Sequence, residues 1–266
     1  MSHSLAYTVN CSLLFTELPR NVRPEAARSA GFTAVEFWWP FTEPVPTDSE
    51  VDDFVRAVDN AGVHLTGLNF FAGDMPGGDR GVLSSPQRSA EFRENIDVVV
   101  DIGRRLGVPA FNALYGNREP GTDPAEQDEI ALESIVTAAK AVAAIDGTVL
   151  IEPVSGSPEY PLHTAADALS VVRAAGQRGA DNVALLADFF HLAVNGDDLD
   201  AVIADHAAEF GHVQIADHPG RGEPGTGELP LDDLLSRSQA GGYSGWVGLE
   251  YKPTVPTVDS FAWLTS

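Results

Sequence analysis

Cysteine occurs once in this 266-residue chain, at Cys11, so no internal disulfide can form and a reducing, cytoplasmic compartment is expected. Positive charge is scarce: 16 Lys and Arg stand against 39 Asp and Glu, for a formal net charge of −23 and a pI near 4.4. Such a surface repels polyanions, which argues against nucleic acid or an anionic membrane as a partner. Long apolar runs are missing as well. The longest, "VALLADFFHLAV", is far too short to span a bilayer and is broken by Asp188 and His191. The opening "MSHSLAYTVN" has neither the basic start nor the apolar core of a secretory signal. No phosphate loop ending in Gly-Lys-Ser/Thr is present. The string "GRGEPG", Gly220 to Gly225, fits the dinucleotide glycine pattern formally, but it holds a proline, opens no helix and has no acidic residue about twenty positions on. It reads better as a turn-rich lid that presents Arg221, with Glu223 beside it, to an anion.

What the chain does have is alternation. Hydrophobic residues make up 44%, enough for a substantial core, and 25 Gly and 18 Pro punctuate many short turns. Strands are predicted at "YTVNCS", "AVEFW", "HLTGLN", "AFNAL", "TVLIEP", "NVALLAD", "HVQIAD" and "WVGLEY". Between them run helical segments such as 47–62, 86–107, 123–145, 164–176, 198–210 and 230–242, several with a capping residue at the start and Gly at the end. Eight near-continuous apolar strands alternating with helices imply parallel pairing with the helices outside. At this length the pattern predicts a single (β/α)₈ TIM barrel over residues 1–266, with an open doubly wound sheet as the alternative.

Polar residues interrupt these strands at their ends. Glu152 follows "TVLI", Asp188 follows "VALLA", Gln214 lies in "HVQIAD" and Glu250 follows "WVGL". They are 36, 26 and 36 residues apart (152 to 188, 188 to 214, 214 to 250), each the length of one βα unit. In a barrel, strands five to eight would carry all four to the C-terminal face, where barrel active sites form. Three carboxylates in one pocket need either raised pKa values or a cation. Three anionic oxygens and an amide oxygen suit one hard divalent ion, Mg²⁺ or Mn²⁺, better than zinc. Asn69, His191 and Arg221 gather at the same end as candidate substrate contacts. His212 alternates with Gln214 and should face the interior. Glu36 could line the mouth or fill an interior layer. Trp38, Trp39, Phe70 and Phe71 could shield the pocket or pack between barrel and helices.

The strings "NCSLLFTE", "GFTAVEFWWPF", "NFFAGD", "IEP", "DFFH", "GHVQIADHPGRGEPGTGE" and "GWVGLEYKP" together resemble the hydroxypyruvate isomerase family, from about residue 7 to 253. That family is a branch of the xylose isomerase-like barrels, beside ketose 3-epimerases, inosose dehydratases and endonuclease IV. The resemblance implies Glu152, Asp188, Gln214 and Glu250 as metal ligands, Glu152 and Glu250 as an acid–base pair, and His191 and Arg221 as substrate contacts. Gln214 stands where the related epimerases carry a histidine, which favours the isomerase branch. One loop departs from the pattern: "EPVSGSPEYPLHT" is short, Pro161 replaces the usual histidine, and Glu159 is the candidate substitute for a supporting glutamate. The implied activity is interconversion of hydroxypyruvate and 2-hydroxy-3-oxopropanoate by a homo-oligomer whose partner is a small 2-oxo or hydroxy acid. Isomerisation of 2-dehydrotetronate, epimerisation of a free ketose, metal-dependent DNA cleavage and sugar-acid binding without catalysis are the alternatives.

Overall fold

Residues 2–265 are described by a computed structural model. Eight parallel strands close into a barrel in chain order: β1 Tyr7–Asn10, β2 Ala34–Phe37, β3 His64–Asn69, β4 Ala110–Asn112, β5 Thr148–Ile151, β6 Val183–Asp188, β7 Phe210–Ile215 and β8 Val247–Leu249. Pairing of β1 with β8, Tyr7 against Val247 to Val9 against Leu249, completes the ring. The closed barrel is the predicted one, and the open sheet is excluded.

Eight helices surround it: α1 Arg23–Ser29, α2 Asp48–Ala61, α3 Ser89–Leu106, α4 Pro124–Ala143, α5 Ala165–Gln177, α6 Phe189–Asn195, α7 Leu199–His206 and α8 Leu231–Ala240. Local chemistry sets their ends. Thr47 and Glu50 form a capping box on α2, Thr164 and Asp167 another on α5, and Asp123 with Pro124 opens α4. Gly62 and Gly107 close α2 and α3 in the left-handed conformation that glycine adopts without strain. Two helices were not read from sequence. α1 is one of them; α6 is hidden inside the apolar run after β6, where Asp188 ends the strand and caps the helix through its side chain. Within the predicted 198–210 segment, α7 stops at His206, a 3-10 turn follows at Ala207–Glu209, and β7 begins at Phe210.

The main core lies between the strands and the helices. Phe54, Phe92, Phe111, Val99, Ile135 and Leu169 are among its fully shielded members. Inside the barrel a smaller layer of Ala110, Leu150, Leu186 and Ala184 fills the axis. Above that layer the interior turns polar. Register places Asp188 level with Gln214, and Gln214 level with Gly248, so neighbouring strands deliver their polar residues at the same height. No described helix is long and apolar enough to cross a membrane.

Candidate active site

β5 and β8 each end one residue before a glutamate, Glu152 and Glu250, while Asp188 is the last residue of β6. All three are buried. Each can offer a carboxylate oxygen, and His191 a ring nitrogen, with these atoms within 4.8 Å of one another. A cavity of about 320 Å³ opens above them, with Glu152, Glu250, His191, Arg221 and Asn69 in its wall. Asp188 and Gln214 are 1% and 4% exposed and lie off that wall, so both sit behind its surface.

The cluster is only partly compensated by the protein. Arg221 Nη2 lies 2.6 Å from Glu250 Oε1 and 3.9 Å from Asp188 Oδ2, and its guanidinium stacks 5.2 Å above the Phe190 ring. Asn112 Nδ2 donates to Glu152 Oε2 at 2.6 Å, and Asn10 Nδ2 donates to Glu250 Oε2 at 3.3 Å. The Phe190 and His191 amides donate to Asp188 Oδ1. Burial nevertheless dominates. It pushes the Glu152 carboxyl up to about 8, with the neighbouring Asp188 charge adding to the rise. It lifts Asp188 to about 6 against the opposing pull of Arg221, and it holds Glu250 well above the usual carboxylate range. Three buried acceptors here, Asp188 Oδ2, Gln214 Oε1 and Asn112 Oδ1, receive no hydrogen bond. Unpaired buried acceptors are costly, and beside raised carboxylates they form a donor set that fits a hard divalent cation.

His191 plays a different part. The Ser155 backbone N–H donates to His191 Nδ1 at 3.0 Å, and an amide nitrogen can only donate. The neutral ring therefore carries its proton on Nε2, which faces Asp188 Oδ2 at 3.5 Å and Glu152 Oε1 at 3.9 Å. Burial, with Arg221 and Arg80 nearby, holds its pKa well below the ordinary value and keeps it neutral. Held this way, His191 offers the pocket a hydrogen-bond donor instead of a lone pair.

A family model described as the xylose isomerase-like TIM barrel matches residues 24–266, spanning β2 to β8 and every member of this cluster. The chain belongs to the xylose isomerase-like TIM barrel family. It is 55% identical over 264 residues to a Streptomyces coelicolor protein provisionally named hydroxypyruvate isomerase, covering 97% of this chain and 95% of that one. It is 31% identical over 262 residues to a protein of Escherichia coli K12 named hydroxypyruvate isomerase, covering 98% of each. The crystal structure of a Brucella melitensis protein named AP endonuclease, family 2, superposes with a TM-score of 0.89 at 32% identity, covering 98% of each chain.

Other residues of this xylose isomerase-like barrel fall differently from their sequence reading. Trp38 reaches the cavity wall, but Phe70 packs against Phe92 and Phe111 in the outer core. Trp39 meets Phe41 edge to face and donates to the Glu43 carbonyl, off the cavity. Glu223 does not join Arg221: it accepts from the Thr254 amide and hydroxyl and so pins the loop after β7 to the segment after β8. Glu159 is exposed, and Pro161 lines a separate groove, so the short loop gives the cavity Val154 and Ser155. Its Tyr160 is fully buried, donating to the Glu152 carbonyl and accepting from the Tyr115 amide. Sequence reasoning missed Arg80 and Lys252 in the wall. Their signal was scarcity: Lys252 is one of two lysines in the chain, and in a protein of charge −23 three cations, Arg80, Arg221 and Lys252, share this wall with Glu152 and Glu250.

Proposed function

We propose that this protein is a hydroxypyruvate isomerase, working at the C-terminal ends of β5 to β8 with one divalent cation, Mg²⁺ or Mn²⁺. The observation that carries the reading is the convergence of Glu152, Asp188 and Glu250 in one buried cluster at a cavity whose wall also holds Arg80, Arg221 and Lys252. Glu152, Asp188, Glu250 and the Gln214 side-chain oxygen would hold the cation. Bound there, the cation supplies a Lewis acid for the substrate oxygens, which acidifies the adjacent C–H.

The remaining chemistry belongs to the chain. One of Glu152 and Glu250 takes a proton from C3 of hydroxypyruvate, the other delivers a proton to C2, and the O3 hydroxyl proton passes to O2. The product is 2-hydroxy-3-oxopropanoate, with an enediolate between. Two carboxylates suffice because the exchange is nearly symmetric and each must serve as both acid and base. The His191 Nε2–H positions a substrate oxygen, Arg221 the carboxylate, and Asn69 a hydroxyl.

A short substrate agrees with the loop after β5, which brings the small side chain of Ser155 and the apolar one of Val154 to the cavity. The −23 charge supports a small-molecule partner over DNA, whatever the name of the Brucella protein suggests. A cytoplasmic setting follows the lone, buried Cys11, and the expected homo-oligomer is read by light scattering. Comparing kcat/KM for hydroxypyruvate and 2-dehydrotetronate, before and after chelation and with Mn²⁺ restored, tests the reading. Higher kcat/KM with hydroxypyruvate, lost on chelation and restored by Mn²⁺, supports it. Preference for 2-dehydrotetronate changes the substrate, and full activity without metal removes the cation.

A further inference from the structure

Below the three carboxylates, the barrel axis holds a fourth acidic residue that this mechanism does not use. Glu36 sits on β2, 2% exposed, on the floor beneath the cavity. Its Oε1 accepts from Gln214 Nε2 at 2.7 Å and from Asn10 Nδ2 at 3.0 Å, and its Oε2 lies 2.7 Å from His212 Nε2. The flanking strands make room for it. A side-chain carbon added at Gly248 on β8 would stand 2.6 Å from Glu36 Oε1, and one at Gly67 on β3 would stand 3.3 Å from Glu36 Cβ. Glycine weakens a strand, so two of them packed against one buried carboxylate mark a built compartment.

A glutamine carboxamide has two ends, and only one can ligate a cation. With its NH₂ engaged by Glu36, the Gln214 oxygen is left buried and without a hydrogen bond, level in register with Asp188. If the amide turned over, its NH₂ would be presented to the carboxylates, an arrangement their charge favours and a cation must then displace. We propose that Glu36 is a positioning residue that locks the Gln214 amide with its oxygen available to the cation. The same Oε1 steadies Asn10, which donates to Glu250, so a second member of the donor set is held through it. This inference rests on the cation reading above, and it assigns Glu36 an acceptor's role in place of a charge's.

Two substitutions separate those roles. In Glu36→Gln the charge is gone, yet an oxygen stays within reach of Gln214 and Asn10, and the new NH₂ turns to His212, which takes its other tautomer. In Glu36→Asp the charge stays, but the acceptor retreats by one methylene. Mn²⁺ binding, followed by loss of the free-ion electron paramagnetic resonance signal, is the readout, with thermal melting as the check on folding. Glu36→Gln is expected to bind Mn²⁺ within about threefold of the unaltered protein, which is under ~1 kcal/mol. Glu36→Asp is expected to bind 10–100-fold more weakly, the usual cost of losing a residue that orients a ligand. Glu36→Met, similar in volume and without a strong acceptor, is the second test should the shortened side chain fail to fold, and the same loss is expected. Equal affinity in all variants, or a larger loss in Glu36→Gln than in Glu36→Asp, overturns the positioning role while leaving the cation in place. Failure of the unaltered protein to bind Mn²⁺ overturns the cation reading and this inference with it.

Discussion

Without a divalent cation, the protein should become less stable as the pH rises. Glu152 is raised by burial to about 8, Asp188 to about 6, and Glu250 lies well above its ordinary range. A group whose folded pKa exceeds its unfolded value stabilises the fold while protonated and loses that contribution as pH climbs through the folded value. In the unfolded chain the carboxyls ionise near pH 4, so each proton retained in the fold costs ~1.4 kcal/mol per pH unit up to its folded pKa. His191 runs the other way. Its folded pKa is depressed by burial first, so its contribution is present above about 6.5 and lost only on acidification. Between pH 6.5 and 8 the carboxylates therefore act unopposed, and one retained proton gives a loss of ~2 kcal/mol. For a chain of this size that lowers Tm by roughly 4–8 °C. The assay is differential scanning fluorimetry of chelated protein at pH 6.5 and 8.0. Mn²⁺ at about a hundred times its pH 6.5 Kd should return ~2.7 kcal/mol at that pH, and the same concentration should return more at pH 8, where the ionised carboxylates bind it more tightly. Glu152→Gln should flatten the slope. A metal-free Tm that is level or rising across this window refutes the reasoning.

Glu152→Gln and Glu250→Gln should each lower turnover on the order of 10²–10⁴, and the double variant should lose little more than the worse single one. Metal occupancy is measured alongside, because a variant that has lost its ion says nothing of the proton. Arg221→Met should lower kcat/KM about 10–100-fold, mainly through KM, since charge-assisted hydrogen bonds contribute roughly 1.5–3 kcal/mol. Steady-state kinetics with hydroxypyruvate reads the split, and a purely kcat effect would contradict a binding role. Gly103→Ala in α3 should destabilise by ~1–3 kcal/mol although alanine favours helix, because the added carbon would stand 2.7 Å from Phe111 Cζ and Ile145 Cδ1. Urea unfolding measures it, and a stabilised variant would show that this contact relaxes freely.

The barrel was legible because its strands are apolar enough to stand out and its long helices carry their own stop signals, as at Gly62 and Gly107. α6 was not, since its seven residues "FFHLAVN" continue the apolar run of β6 without a break and its cap is the strand's own last residue, Asp188. The carboxylates could be placed together because period and unit length put Glu152, Asp188 and Glu250 at equivalent strand ends. Supporting residues have no such periodicity. Asn112 reads as an ordinary strand position, Ser155 acts through its backbone amide, and Glu36 gains meaning only once β2 and β7 lie across the same axis. Arg221 reaches the cavity wall as expected, yet Glu223 turns away because Thr254, 31 residues on, offers it both an amide and a hydroxyl.

The most direct test of the two-glutamate account is proton NMR of the Mg²⁺-loaded protein with hydroxypyruvate in deuterated water, Mg²⁺ being used because Mn²⁺ broadens the signals. Proton transfer through exchangeable carboxyls predicts 2-hydroxy-3-oxopropanoate with solvent deuterium at C2 and gradual deuteration of C3 in the remaining substrate, both absent in the Glu152→Gln, Glu250→Gln double variant. Product that keeps the C3 protium at C2 would show direct hydrogen migration between the carbons and contradict the account, as would the absence of product.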